Sequence, residues 1–336
     1  MKNMVSKLKK IRFPYMRKGS YLCLFVSTIF LVYLKNYTLD NDTWFLLNHG
    51  RYVFQHGIPY IEPFTIHENF SFVMQQWLSA LIFYLFYNYF GIKSLLFLII
   101  FLNFVIIFVC YKLCMLLSDG NYKVSSILTF FIDCSLLVFF IVSRPQIFTF
   151  ILVLLMFYSL ELYIKKGNVK YLFILPIISL LQINLHASMW WMLYVLMLPY
   201  LLDGYNFKNF KHDIYKKWPI IVAMIVMFIV AFINPYGLDA IVYFFKSYGV
   251  ESINNYVNEM QPLIITNFIG KFIWAYIFLI FILYIFVGKK NIKVRYLLLF
   301  IGTCYLSLSS IKGLSYFILC SFFPVAYYFK NSLKIK

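Results

Sequence analysis

The chain has 336 residues, of which 63% are hydrophobic and 12% charged, with a formal charge of +18 and a mean hydropathy of +0.80. An ordinary soluble domain is excluded, because it needs less apolar surface and carries more charge. Nearly charge-free windows of about twenty residues recur from end to end, the signature of helices that cross a bilayer. The expected fold class is all-α, a polytopic transmembrane helical bundle, with residues 1–336 forming a single transmembrane domain.

The Lys and Arg residues fall mainly between the apolar runs. They read as cytosolic anchors against an anionic lipid face, not as a nucleic-acid surface. No nucleic-acid partner is expected. Six cysteines, at 23, 110, 114, 134, 304 and 320, lie in or beside apolar segments. Cys110 and Cys114 are four apart but have no second pair or nearby histidine to complete a metal set, so they read as small buried hydrophobes.

In chain order, residues 1–19 form a basic tail, and residues 1–20 hold seven positive charges and no acid. An apolar run follows and ends in Lys35-Asn36-Tyr37 without a small-x-small cleavage site, so an uncleaved first helix is expected over about 20–38. Residues 39–76 are the longest early polar stretch. Between Asp40 and Gln76 it holds four acids, one Arg and no Lys, the composition of an outer loop. A short interfacial helix is expected over Thr43–Gln55, stopped by Gly57-Ile58-Pro59.

Further apolar segments run over 75–91, 94–117, 124–142 and 146–164, and Lys165 to Lys170 read as cytosolic. That passage needs an odd number of crossings, so one of the four segments must be a half-crossing, a re-entrant piece or a wrong split. Residues 171–202 are interrupted by Asn184 to Ser188. They should enter and return as two short helices with Asn184 and His186 near the outer tip. The loop 203–217 reads as cytosolic, 218–234 exits, and 235–270 forms a second outer loop. Helix 272–288 returns to the basic turn "GKKNIKVR", and helices 294–310 and 313–329 complete about ten or eleven. The reading is a multi-pass protein of the cell membrane with both termini cytoplasmic.

Several polar residues stand out against this background. Asp42, and less so Asp40, follows the first helix. A carboxylate there suits a general base or a divalent-metal ligand, and Asp42 equally suits a helix start. Glu62 is a second acidic candidate in the same loop. Gln75 and Gln76 mark the re-entry and suit sugar hydroxyls or lipid headgroups. His49 and His56 are seven apart, which is no zinc signature, and read as interfacial histidines. Arg144, before the helix-breaking Pro145, is costly in its apolar setting unless it reaches an interface or a partner. It reads as a cation facing a phosphate or as a snorkelling side chain. Asp133 lies inside an apolar run, with Arg144 as a possible partner. His186, Glu259 in the second outer loop, and Lys312 after Ser307 to Ser310 complete the set. Acids, His186, Arg144 and Lys312 thus collect at one face, which suits an anionic substrate carried by a lipid.

The order of "DTWFLLNHG", "HGIPYIEPFT", "QQWLSALIF", "SRPQIFTFILVLLMFYSLELY", "INLHAS", "INPYG" and "NEMQP" resembles a bacterial family of uncharacterised multi-spanning membrane proteins. These in turn resemble glycosyltransferases of the GT-C fold. The resemblance covers about residues 38 to 325. Asp42, Trp44, Phe45, Gly50, Gly57, Ile58, Pro59, Glu62, Pro63, Phe64 and Thr65 match its first-loop pattern. Departures are Leu46 for a His, Glu62 for an Asp, Gln75-Gln76 for a His-Glu, and Lys312 for an Arg.

The resemblance implies a GT-C-like, inverting glycosyltransferase that moves a sugar from a polyprenyl-phosphate donor to a glycan, lipid or protein acceptor on the outer side of the membrane. By that resemblance Asp42 is the base toward the acceptor, Arg144 and Lys312 hold the donor phosphate, and His186 and Glu259 line the cavity. A divalent metal is used by some such enzymes and not by others, so the cofactor stays open. The rival expectations are a transporter or flippase of a lipid-linked saccharide, and a polysaccharide polymerase or ligase. The changes at Gln75 and Gln76 lean toward the non-catalytic rival. The absence of matched halves leans against a transporter.

Overall fold

A computed structural model describes residues 26, 41–203, 210–211, 213–248, 256–264, 266, 268–288 and 291–331. Apart from Val26, the first apolar segment, the basic tail and Asp40 lie outside the described residues. Among those described, the fold is all-α. Its only extended pairings are the isolated bridges Ile61–Ser71 and Lys211–Lys293.

Among the described residues twelve α-helices follow in order: α1 (Asn41–His56), α2 (Trp77–Phe90), α3 (Lys93–Leu117), α4 (Tyr122–Phe139), α5 (Gln146–Lys166), α6 (Ile174–Leu185), α7 (Trp190–Leu202), α8 (Trp218–Val230), α9 (Leu238–Tyr248), α10 (Phe268–Val287), α11 (Val294–Ser309) and α12 (Leu314–Tyr328). Among the described residues four apolar stretches are long enough to cross a membrane: Lys93–Leu117, Gln146–Lys166, Gly270–Val287 and Ile311–Tyr328. Five shorter apolar helical stretches accompany them. A polytopic helical membrane bundle is the architecture these lengths support.

Local chemistry sets the ends. The Asn121 side chain accepts from the Val124 N–H and starts α4. Lys165 and Lys166 occupy the last turn of α5, and Gly167 closes it in a left-handed conformation at φ 67°. Pro219 sits in the first turn of α8, where its missing N–H costs nothing. Gly57, at φ 83°, ends α1 where the Gly-Ile-Pro signal placed the stop.

The four segments between residues 76 and 165 are four helices of unequal length. α2 has 14 residues, about 21 Å at the helical rise, which falls short of a hydrocarbon layer of about 30 Å. α3 has 25 residues, about 37 Å by the same rise, and crosses with length to spare. The short member is therefore α2, which is joined to α3 through Gly91-Ile92 alone.

The interruption at Asn184–Ser188 separates α6 from α7. The Trp190 indole N–H donates to Ser179 Oγ at 2.8 Å across it. Eleven residues along a straight helix span about 16 Å, so the two helices fold back on one another. Residues 235–248 are not all loop. α9 buries Ala240 and Ile241 and accepts the Trp191 indole N–H on the Ile241 carbonyl at 2.8 Å. Its apolar residues recur at helical spacing, a signal masked by the Asn-Pro-Tyr-Gly turn just before it.

The core runs along α3, α5, α6, α7 and α12, where Phe150, Phe157, Leu193, Tyr200, Phe317 and Phe323 are at most 2% exposed. α10 differs, leaving Phe272, Phe278, Leu279, Phe281 and Ile285 exposed as a lipid-facing surface. One end of the bundle is tied by charge. Arg295, 1% exposed, reaches Glu161 at 3.0 Å and Asp203 at 2.8 Å and also pairs with Asp213. Lys293 meets Asp213 at 2.6 Å. The Tyr200 and Tyr296 hydroxyls donate to Glu161 at 3.0 and 3.1 Å. This knot joins α5, α7, α11 and the segment before α8.

Candidate functional site

The site is assembled by backbone irregularities. α4 ends at Phe139, and residues 140–145 turn with the Arg144 N–H donating to the Val142 carbonyl at 2.7 Å before Pro145 starts α5. Pro145 cannot continue a helix from the preceding residues, so Arg144 is placed at a break rather than along a smooth surface. Thr43, in the first turn of α1, donates its hydroxyl to the Ser143 carbonyl at 3.5 Å, which sets the start of α1 against that break. Asp42 lies in the same first turn, where a carboxylate also suits the helix dipole.

On the other side, the 3-10 turn Asn258–Met260 carries Glu259. Gln261 offers its carbonyl to the Ile311 N–H at 3.1 Å, and Ile311 opens the turn that carries Lys312. Ser310 caps that turn by accepting from the Gly313 N–H at 3.2 Å. A Cβ on Gly313 would lie 2.1 Å from the Leu306 carbonyl oxygen, so only glycine lets the chain turn this tightly.

The charged side chains then converge. Arg144 meets the Asp42 carboxylate at 2.8 Å and pairs with Glu259 through its other amino group. Arg144, Glu259 and Lys312 line one cavity of about 390 Å³ together with Gln146, Asn258 and Gln261. Its remaining wall is apolar and includes Phe140, Val142, Leu263, Ile264, Ile311 and Leu314. Two cations, one carboxylate and an apolar surround are what a ligand with an anionic group and a hydrocarbon portion would meet.

Exposure decides how firmly these pairs hold. The Asp42 and Glu259 side chains are 61% and 42% exposed and that of Arg144 is 24% exposed. Solvent screening then limits each pair to about 1 kcal/mol or less, far below a dry ion pair.

The other candidates have different settings. Glu62 accepts the Phe64 N–H at 3.1 Å and organises the turn of the first loop. Gln75 accepts the Ala187 N–H on its carbonyl at 2.8 Å and the Ser188 N–H on Oε1 at 3.1 Å. It thereby satisfies donors left open where α6 breaks. The Gln75 amide also donates to Gln76 Oε1 at 3.1 Å. Trp77 donates to Asn184 at 3.0 Å. His186 is buried and bonds Thr149 Oγ1 at 2.9 Å, so it supports the helix break and is not part of the cavity wall. Asp133 accepts from the Asn103 amide at 3.0 Å, while Arg144 turns to Asp42 and Glu259.

The short motifs also meet in space. The Tyr236 hydroxyl donates to the Pro59 carbonyl at 2.8 Å, the Tyr60 hydroxyl to Pro235 at 3.2 Å, and their rings pack at 5.5 Å. Thus "HGIPY" docks on "INPYG", and "QQW" docks on "INLHAS".

His49 is buried between Phe45, Phe64 and Phe72, with ring centroids 3.9, 5.0 and 5.7 Å away. Its Nδ1 donates to the Phe45 carbonyl at 2.8 Å, and burial pushes its pKa below the usual imidazole value. It packs the first loop onto α1.

Among the described residues no group of three or more His, Cys, Asp or Glu is placed to hold a metal ion. Asp42 and Glu259 both pair with Arg144. No family model matches the chain, and no curated protein matches it.

Proposed function

We propose that this chain is a GT-C-like membrane glycosyltransferase that transfers a sugar from a polyprenyl-phosphate carrier to an acceptor on the outer side of the membrane. The observation that carries the reading is the meeting of Arg144 and Lys312, from distant parts of the chain, in one cavity with otherwise mostly apolar walls. The resemblance includes the Arg-Pro motif that carries Arg144, and Lys312 keeps the charge where the resembled family has an Arg.

In this mechanism Arg144 and Lys312 hold the phosphate of the lipid carrier. The bond between the sugar's anomeric carbon and the phosphate oxygen breaks, and its electron pair leaves with the lipid phosphate. Fixed cations stabilise that growing charge, an effect worth about 3–4 kcal/mol for one well-placed group. The acceptor hydroxyl oxygen forms the new bond to the anomeric carbon from the opposite face, and its proton passes to Asp42.

Full-length protein reconstituted with a polyprenyl-phosphate sugar and an acceptor tests the reading. The expected result is release of polyprenyl phosphate coupled to glycosylated acceptor, with Asp42→Asn losing turnover while still binding donor. Full turnover in a correctly inserted Asp42→Asn protein would remove Asp42 as base. The engagement of Asp42 by Arg144 is the observation that favours a second reading, a flippase of the same lipid-linked saccharide. That protein would move intact lipid between leaflets in the same vesicles and cleave none of it.

A further inference from the structure

Arg144 is shared between two carboxylates brought to it by separate segments, Asp42 from the start of α1 and Glu259 from the 256–264 segment. Lys312 lines the same cavity as Arg144 and Glu259. Both carboxylates are substantially exposed, at 61% and 42%, so neither pair is locked inside a dry core. An arginine fork presents its donors in one plane, and an incoming phosphate asks for those same donors.

We infer that Asp42 and Glu259 are exchangeable counter-ions of Arg144, which an anionic phosphate group entering the cavity displaces. This rests on the reading that the cavity takes a lipid-carried phosphate. It adds that the ligand must compete with the protein's own carboxylates. Two consequences follow. Binding frees the Asp42 carboxylate beside Arg144, so a base is released only where a phosphate is already seated. Binding also loosens two contacts at once, those of the first turn of α1 and of the Asn258–Met260 turn with the Arg144 break. Occupancy is thereby transmitted to both loops.

The sign of one substitution separates this from an ordinary structural role. A carboxylate that merely shapes the cavity weakens binding when neutralised. A competing counter-ion strengthens it. The experiment uses full-length protein in neutral detergent micelles and measures the binding of dodecyl phosphate and of inorganic phosphate to wild type, Glu259→Gln and Asp42→Asn. Asp42 is exposed at a helix start, so its variant folds even if Glu259→Gln does not. Hydrogen exchange over residues 41–47 and 256–264, with and without ligand, is the second readout.

The expected result is dodecyl phosphate bound about threefold or more tightly by each variant than by wild type, the scale of one partly exposed ion pair. Exchange in both segments should rise on binding to wild type. Preference for dodecyl phosphate over inorganic phosphate identifies the ligand as a lipid headgroup, and equal affinity identifies free phosphate, with the exchange intact in either case. Wild type that binds while both variants bind equally or more weakly overturns the exchange and leaves the anion site standing. Failure of every protein to bind either probe overturns the anion site and the exchange together.

Discussion

Arg144 carries more of the site than any other side chain, because its fork reaches two carboxylates on two segments and the residue also lines the cavity. Arg144→Gln is expected to lower kcat/KM for lipid-phosphate sugar by about 100- to 1000-fold, the loss seen when one well-placed charge stabiliser is removed. Arg144→Lys keeps the charge but cannot present a planar fork, so it should recover only part of that loss. Steady-state transfer by the three proteins checks the order. Arg144 was legible in the sequence because an arginine beside a proline in an apolar run is expensive. Its place at one face with the acids and Lys312 was legible too, but the direct pairs with Asp42 and Glu259 were not, because nothing in local spacing encodes which acid a cation will meet, and Asp133 stood as the sequence candidate for Arg144. Gln75 shows the converse. Its amide reads as a sugar contact in isolation, and only the folded helix break shows the N–H groups it satisfies.

At the scale of elements, α1 and the loop after it behave as one plate held against α2. A Cβ on Gly50 would lie 2.1 Å from the Ala80 carbonyl oxygen and 2.6 Å from Tyr84 Cβ. Gly50→Ala must therefore push α1 off α2, at a cost of about 1–3 kcal/mol. It should lower the thermal midpoint and displace Asp42 from Arg144.

His49 gives the same plate a pH response. Its folded pKa is depressed by burial, so its contribution to stability is complete above the unfolded value of about 6.5 and is lost as pH falls through the lower folded value. The protection factors against hydrogen exchange over 41–74, which remove the intrinsic pH dependence of exchange, should therefore fall on acidification below pH 6.5, and His49→Phe should flatten that response. The helix over 41–56 and the break at 184–188 were readable, since Gly-Ile-Pro and Asn-Leu-His-Ala-Ser are local signals. α9 was not readable, because its amphipathic turns sit inside what charge counting labels a loop.

Across the whole molecule, the two ends of the bundle use charge differently. At the cavity end the ion pairs are exposed and exchangeable. At the other end Arg295 and Glu161 are buried, with side chains 2% and 6% exposed. Removing one member there strands the other in an apolar interior. Glu161→Ala should cost about 3–5 kcal/mol. Asp203 has one carboxylate oxygen without a hydrogen-bond partner among the described residues, and burial raises its pKa. Asp203→Asn should therefore cost clearly less, and thermal unfolding in detergent would rank the two.

Glu161 was open to the same sequence argument as Asp133, an acid inside an apolar run. Its proximity to Lys165 hid it as an ordinary helix-end charge. The long apolar helices, by contrast, follow directly from composition, because a bilayer demands that every backbone donor be satisfied within its own segment.

In the proposed reaction the cavity between Arg144, Glu259 and Lys312 receives the phosphate of a lipid-linked sugar. Photo-crosslinking of the full-length protein with a polyprenyl-phosphate analogue, followed by peptide mapping, tests it most directly. Labelling is expected within residues 140–146, 258–264 and 311–314, competed by unlabelled polyprenyl-phosphate sugar and lost in the Arg144→Gln, Lys312→Gln double variant. Competable labelling confined to other helices, unchanged in that variant, would contradict it.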